Sequence, residues 1–188
     1  MGHSKLAIKY IVRSQIILYA SFAICILISP ASLADNSGFS YFGHHKLTII
    51  PFGAGLLATA HYLLKAAGKL GEAKQQMIVR ISLTAMAPLM AGLVVVPAIG
   101  TGWYDLIHRI FGSSLFAIQL LLAGWLVWHT RKSIINWLAL VLQFTGGVIS
   151  LLYLHPAQGF ELQGQLLFQL AFTVILIRSI RYALAASI

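Results

Sequence analysis

Histidine and carboxylate side chains lie near the ends of several long apolar segments of this chain. Asp105 and His108 are three residues apart, so both can project from one face of a helix. Neutral imidazoles and carboxylates are typical ligands of zinc, and the same groups exchange protons in acid–base catalysis. One interpretation of this pattern is a metal-dependent enzyme that acts on lipid headgroups at the outer face of a membrane. The competing interpretation is that these histidines lie at the membrane interface and bind nothing. The candidate metal ligands are His44, Asp105, His108, His155 and Glu161.

Histidines also lie near both ends of two apolar segments, an arrangement that could hold haem. His44 or His45 would pair with His108 near one membrane surface. His61 would pair with His129 near the other. In this respect the chain resembles the di-haem cytochrome b type of membrane electron carrier. The histidines are 16 or 17 residues apart in one segment and 21 apart in the other, about 25 and about 31 Å along a helix, and this inequality counts against two matched pairs.

Four of the glutamines that fall within the apolar segments predict an intramembrane polar face. Polar side chains in hydrocarbon are costly unless they face the interior of a helical bundle. The four-residue spacing from Gln165 through Gln169 to Thr173 puts these side chains on one stripe of a helix. Their expected role is hydrogen bonding between helices, at about 0.6 kcal/mol per contact. The predicted face comprises Gln119, Gln143, Gln165 and Gln169.

The composition indicates that these groups are positioned by transmembrane helices. Of the 188 residues, 59% are hydrophobic and 9% are charged, whereas a soluble domain carries about 25% charged residues. A soluble fold and intrinsic disorder are therefore excluded, and the single cysteine excludes an intrachain disulfide framework. We predict an all-α bundle that forms one domain over residues 1–188. Its six segments of about transmembrane length are 14–34, 47–65, 77–98, 107–129, 135–154 and 164–182.

The basic residues predict the orientation of the bundle. With the N-terminus inside, eleven of the 13 Lys and Arg residues fall on the cytoplasmic side, and Lys46 and Arg109 fall outside. Because basic residues favour the cytoplasmic side, both termini are predicted to be cytoplasmic. The formal net charge is +9, but the basic residues stand singly or in pairs, which argues against nucleic-acid binding.

The first apolar segment has a second interpretation as a secretory signal peptide. Basic residues at positions 5, 9 and 13 precede the apolar stretch 16–29, and Ser32-Leu33-Ala34 is a small-residue pattern typical of a cleavage site. Cleavage would leave five helices and an external N-terminus. We expect the first helix to be retained.

The topology and a local pattern resemble the DRAM-like family of six-helix membrane proteins and its uncharacterised bacterial relatives. The residues that carry the resemblance are His108, Gly112, Phe116 and Leu120 in the segment 105–120, together with the loop 38–44. The resemblance implies a membrane protein linked to lipid or membrane-compartment biology, without an established set of catalytic residues. His108 matches as a position, and no role is carried over for it.

These observations favour a non-catalytic bundle that binds lipid or a membrane protein partner, a second copy of the chain included. No cofactor is required for that function. The di-haem carrier and the metal-dependent enzyme remain open as alternatives, so catalysis is left undecided. In the absence of a recognised targeting or lipidation motif, the prokaryotic plasma (inner) membrane is the default location.

Overall fold

The computed structural model describes residues 2–33, 38–96, 102–130, 133–152 and 160–185. Within these ranges the chain is helical and has no β-strand, which confirms the predicted all-α class. A short 3₁₀ turn, Pro30–Leu33, follows the first helix. The α-helices of the described ranges are, in chain order, α1 (Gly2–Ile28), α2 (Phe39–His44), α3 (Ile49–Ala67), α4 (Lys74–Val95), α5 (Gly102–His129), α6 (Ile134–Leu152) and α7 (Glu161–Ala185).

Five helices of the described ranges are long and apolar enough to cross a membrane, namely α1, α3, α4, α5 and α7. In α6, Ile134–Ser150 forms a shorter apolar helix. Large apolar side chains such as Leu27, Ile50 and Leu121 are more than two-thirds exposed on the outer surface. Exposed apolar surface of this extent is unfavourable in water and suits contact with lipid. The architecture is consistent with an integral, multi-pass membrane protein.

The observed bounds differ from the predicted segments mainly at the polar ends of helices. α1 begins at Gly2 rather than at residue 14, because basic residues that fail an apolar count are still good helix formers. It ends at Ile28, since Pro30 disfavours helical backbone at the residue before it. α7 extends beyond 164–182 at both ends, and Glu161 in its first turn complements the helix dipole.

Five helices form a closed ring in which α1 packs on α3, α3 on α4, α4 on α5, α5 on α7, and α7 on α1. α6 lies outside this ring, packed mainly against α7. The short helix α2 is part of the connection between α1 and α3, in a region the sequence pattern presented as a loop. Its Phe42 side chain is fully buried, and this apolar contact explains why α2 is held against the ring.

Buried apolar side chains form two clusters along the ring. One contains Phe22, Phe42 and Leu162 at the end of the ring that carries α2. The other runs toward the opposite end and contains Leu63 and Ile175. The interior is incompletely filled where the two clusters meet, and the polar side chains discussed next lie there.

Candidate functional site

A cavity of about 90 Å³ lies inside the helix ring, in the half that carries α2. Each of the five ring helices and α2 contributes to its lining, and the apolar part of the wall includes Leu18, Phe22, Phe52, Met90 and Phe116. One water molecule needs only about 10–15 Å³ of such space, so the cavity has room for a larger group. The polar lining residues are Ser40, His108, Gln119, Gln165 and Gln169.

A chain of hydrogen bonds crosses the ring at the floor of this cavity. Gln119 Nε2 donates to Gln169 Oε1 at 3.0 Å, and Gln169 Nε2 donates to Gln15 Oε1 at 3.2 Å. The Thr173 hydroxyl also donates to Gln15 Oε1, at 2.7 Å, and accepts from the Tyr19 hydroxyl at 2.8 Å. The chain joins α1, α5 and α7 near the middle of each helix, where hydrocarbon would otherwise surround these polar groups.

Gln165, on α7, forms a hydrogen bond that holds α2 over the cavity. Its Oε1 accepts a hydrogen bond from the Phe39 backbone N–H at 2.6 Å, and its Nε2 donates to Glu161 Oε1 at 2.9 Å. The Phe39 ring stacks on the Phe22 ring of α1, with centroids 4.0 Å apart. Both amide atoms of Gln165 are thus engaged within the protein. α2 therefore covers the cavity through contacts to α1 and α7.

His108 enters the cavity wall from the first turns of α5 and is 8% exposed. Its Nδ1 lies 2.6 Å from the carbonyl oxygen of Val96. Because a carbonyl oxygen can only accept, Nδ1 carries the proton and donates. In the neutral ring Nε2 then keeps its lone pair and can accept a hydrogen bond.

The four glutamines of the predicted polar face occupy two different places. Gln119, Gln165 and Gln169 line the cavity, and Gln119 and Gln169 are buried. Gln143 lies on α6, outside the ring, and is fully buried, with both side-chain amide atoms lacking a hydrogen-bond partner. Nothing in the described residues explains what Gln143 binds.

The candidate metal ligands that the structure describes form contacts with different partners and do not converge on one site. Asp105 forms an ion pair with Arg109 one turn away, at 2.7 Å. His44 is exposed, and its Nδ1 lies 2.9 Å from the Ser40 carbonyl oxygen. The part of the chain that the structure describes contains no group of three or more His, Cys, Asp or Glu side chains that could hold a metal ion. His155 lies outside the described residues, so a site that includes it stays a prediction.

The histidines proposed for haem lie on helices that have little direct contact. α4 packs against both α3 and α5, the helices that carry His61 and His129, whereas His44 and His45 lie at the end of α2. His61 is exposed on α3 beside the Tyr62 ring. His129 is exposed at the end of α5, where its ring packs on Trp125. His45 is partly buried and stacks on a tyrosine ring. This arrangement does not favour two haem sites.

Sequence reasoning missed the contribution of α1 to the polar chain. The predicted first segment began at residue 14, which placed Gln15 in the headgroup region, whereas α1 begins at Gly2 and carries Gln15 inside the bundle. The four-residue spacing between Gln15 and Tyr19 puts them on one helical face, and that spacing is a signal that could have revealed them. No protein family, curated protein or solved structure matches this chain.

Proposed function

We propose that this protein is a non-catalytic membrane bundle that binds a lipid molecule in the cavity of its helix ring. The observation that supports this best is the cavity, whose wall is apolar and aromatic and holds a few convergent polar groups. Small-molecule sites in proteins have this character. A cavity of about 90 Å³ takes only one end of a lipid, so its polar group would reach His108 or Gln119 and its first few carbons would contact the aromatic wall. The resemblance to the DRAM-like family points toward lipid biology as well.

We further infer that six helices cross the membrane, α6 included, and that both termini are cytoplasmic. The charge distribution supports this orientation, because Lys46 and Arg109 are the only basic residues of the sequence assigned to the α2 side. In this arrangement the cavity lies in the outer half of the bilayer. The prokaryotic plasma membrane is the location we propose.

Two glycines of α5 provide a matched test of cavity occupancy. Gly112 lines the cavity, and a β-carbon there would meet only Leu93, at 4.0 Å. Gly124 lies three turns further along α5, outside the cavity lining, and a β-carbon there would meet nothing within 4 Å. Gly112→Leu should therefore fill cavity space, whereas Gly124→Leu should leave the cavity unchanged. Both replacements add the same side chain to the same helix.

The assay is photolabelling in lipid nanodiscs with diazirine-bearing hexadecanol and its methyl ether, followed by mass spectrometric mapping of the cross-links. We expect cross-links to the cavity wall in the wild type and in Gly124→Leu, and their loss in Gly112→Leu. Size-exclusion chromatography and circular dichroism would establish that both variants fold. Labelling restricted to outward residues such as Leu121, and equal in all three proteins, would refute lipid binding in the cavity.

A further inference from the structure

The hydrogen-bond chain at the cavity floor has a fixed direction. At its start the Ser14 hydroxyl donates to the carbonyl oxygen of Ile11, at 2.7 Å. A hydroxyl has one proton, so in its 3.2 Å contact with Gln15 the Ser14 oxygen accepts and the Gln15 amide nitrogen donates. Gln15 Oε1 must then point the other way, toward Gln169 and Thr173, as an acceptor.

This direction propagates to the cavity through two more amides. Gln169 Nε2 donates to Gln15, so Gln169 Oε1 faces Gln119. The Gln119 Nε2 donates to that oxygen. The free end of the chain is therefore a carbonyl oxygen, Gln119 Oε1. It is buried and has no hydrogen-bond partner in the part of the chain that the structure describes, and Gln119 is 1% exposed. A buried acceptor left unpaired is destabilising, so a donor from a ligand would be stabilised there.

A second acceptor at the cavity is the Nε2 atom of His108 in its neutral form. His108 donates from Nδ1 to Val96, which leaves the Nε2 lone pair available. His108 and Gln119 are eleven residues apart on α5, about three turns, and thus lie on one face of the helix. Gln165 and Gln169 each use the amide oxygen and one of the two N–H protons within the protein. The Ser40 hydroxyl can donate or accept and therefore does not discriminate between ligands.

We propose that the cavity selects a lipid whose polar group is a neutral hydroxyl, and that Gln119 Oε1 is the acceptor that recognises it. This inference rests on the proposed lipid-binding function. Ethers, ketones and esters bring only acceptors and would leave Gln119 Oε1 unpaired. None of the described residues that line the cavity is Asp, Glu, Lys or Arg, so an ionised headgroup would be desolvated without a counter-charge from these side chains. A long-chain alcohol combines the required donor with an apolar body, of which a cavity of about 90 Å³ takes only the hydroxyl end and the first few carbons, and the rest of the chain would lie outside the cavity in the lipid.

The test compares the two photoactivatable probes, hexadecanol and its methyl ether, which differ only in the donor proton and one methyl group. In the wild type we expect the alcohol to half-saturate cavity labelling at a membrane mole fraction about tenfold lower than the ether, the effect of one hydrogen bond. Gln119→Met combined with Gln169→Met removes Gln119 Oε1 and also Gln169 Oε1, which the first replacement alone would leave unpaired in the cavity, and should bring the two probes within about twofold. Gln143→Met, which replaces a buried glutamine outside the cavity, should keep the tenfold preference.

The outcomes separate the two proposals. Equal labelling by alcohol and ether in the wild type would overturn the hydroxyl selectivity and leave lipid binding standing. A preference that survives the double replacement Gln119→Met and Gln169→Met would overturn the role of Gln119. Absence of cavity labelling by either probe would refute the lipid-binding function, and the selectivity would fall with it. The ratio of alcohol to ether labelling is measured in the wild type and needs no variant. The hydroxyl selectivity is therefore tested even where a variant folds poorly.

Discussion

Replacing Gly146 with alanine should loosen the contact between α6 and α7. A β-carbon at Gly146 would lie 2.6 Å from the Phe168 backbone nitrogen and 2.7 Å from the Gly164 carbonyl oxygen. Both atoms belong to the backbone of α7 and cannot rotate away as a flexible side chain would. Because ordinary contact begins at 3.4 Å, the helices must separate locally by roughly 0.7 Å, enough to lose about a quarter to a half of the attraction between facing atoms.

The net effect on stability follows from two opposing contributions. Overpacking of this kind costs about 1–3 kcal/mol. Alanine is the better helix former, which returns up to about 1 kcal/mol. We therefore expect Gly146→Ala to lower the free energy of unfolding by up to about 2 kcal/mol. Gly124→Ala is the matched control, because nothing lies within 4 Å of its added β-carbon, and it should be neutral or up to about 1 kcal/mol stabilising.

The measurement is equilibrium unfolding by SDS titration in mixed micelles. Far-ultraviolet circular dichroism would report the helices, and tryptophan fluorescence would report tertiary contacts, with Trp137 located on α6 itself. The midpoints should rank Gly146→Ala below the wild type, and the wild type at or below Gly124→Ala. A Gly146→Ala midpoint equal to that of Gly124→Ala would show that α6 and α7 do not approach as closely as the geometry requires.

Two further predictions concern topology and cofactors. In a Cys25→Ser background, a cysteine at Lys46 should react with an impermeant maleimide on intact cells, whereas a cysteine at Gln75 should react only after permeabilisation, because the basic loops stay cytoplasmic. The reverse pattern would invert the proposed orientation. Detergent-purified protein should show no Soret band before or after dithionite, because α4 packs against both α3 and α5 and His61 is exposed on α3. A reducible band that disappears in His108→Ala would support the di-haem alternative instead.

The amino-acid sequence was sufficient to predict the helical class and the central part of each long helix, but not α2. Apolar segments of about 20 residues must be helical in a bilayer, because every backbone polar group has to be satisfied within the segment. The same reasoning singled out Gln119, Gln165 and Gln169, which line the cavity, since polar groups in hydrocarbon must face inward. Helix ends were less predictable, as α1 shows, because charged residues at a helix end carry no apolar signal.

The partners of those side chains could not be read from spacing. Periodicity assigns residues to a face of one helix, but it does not say which helix that face meets. The position of α6 outside the ring depends on the backbone contact at Gly146, and the ring closes only because α7 packs on both α1 and α5. That closure brings Gln15 to Gln169 and leaves Gln119 Oε1 unpaired at the cavity. The sequence determined which polar side chains face inward. Tertiary packing decided which of their donor and acceptor atoms have no hydrogen-bond partner, because pairing depends on distances between helices that are far apart along the chain.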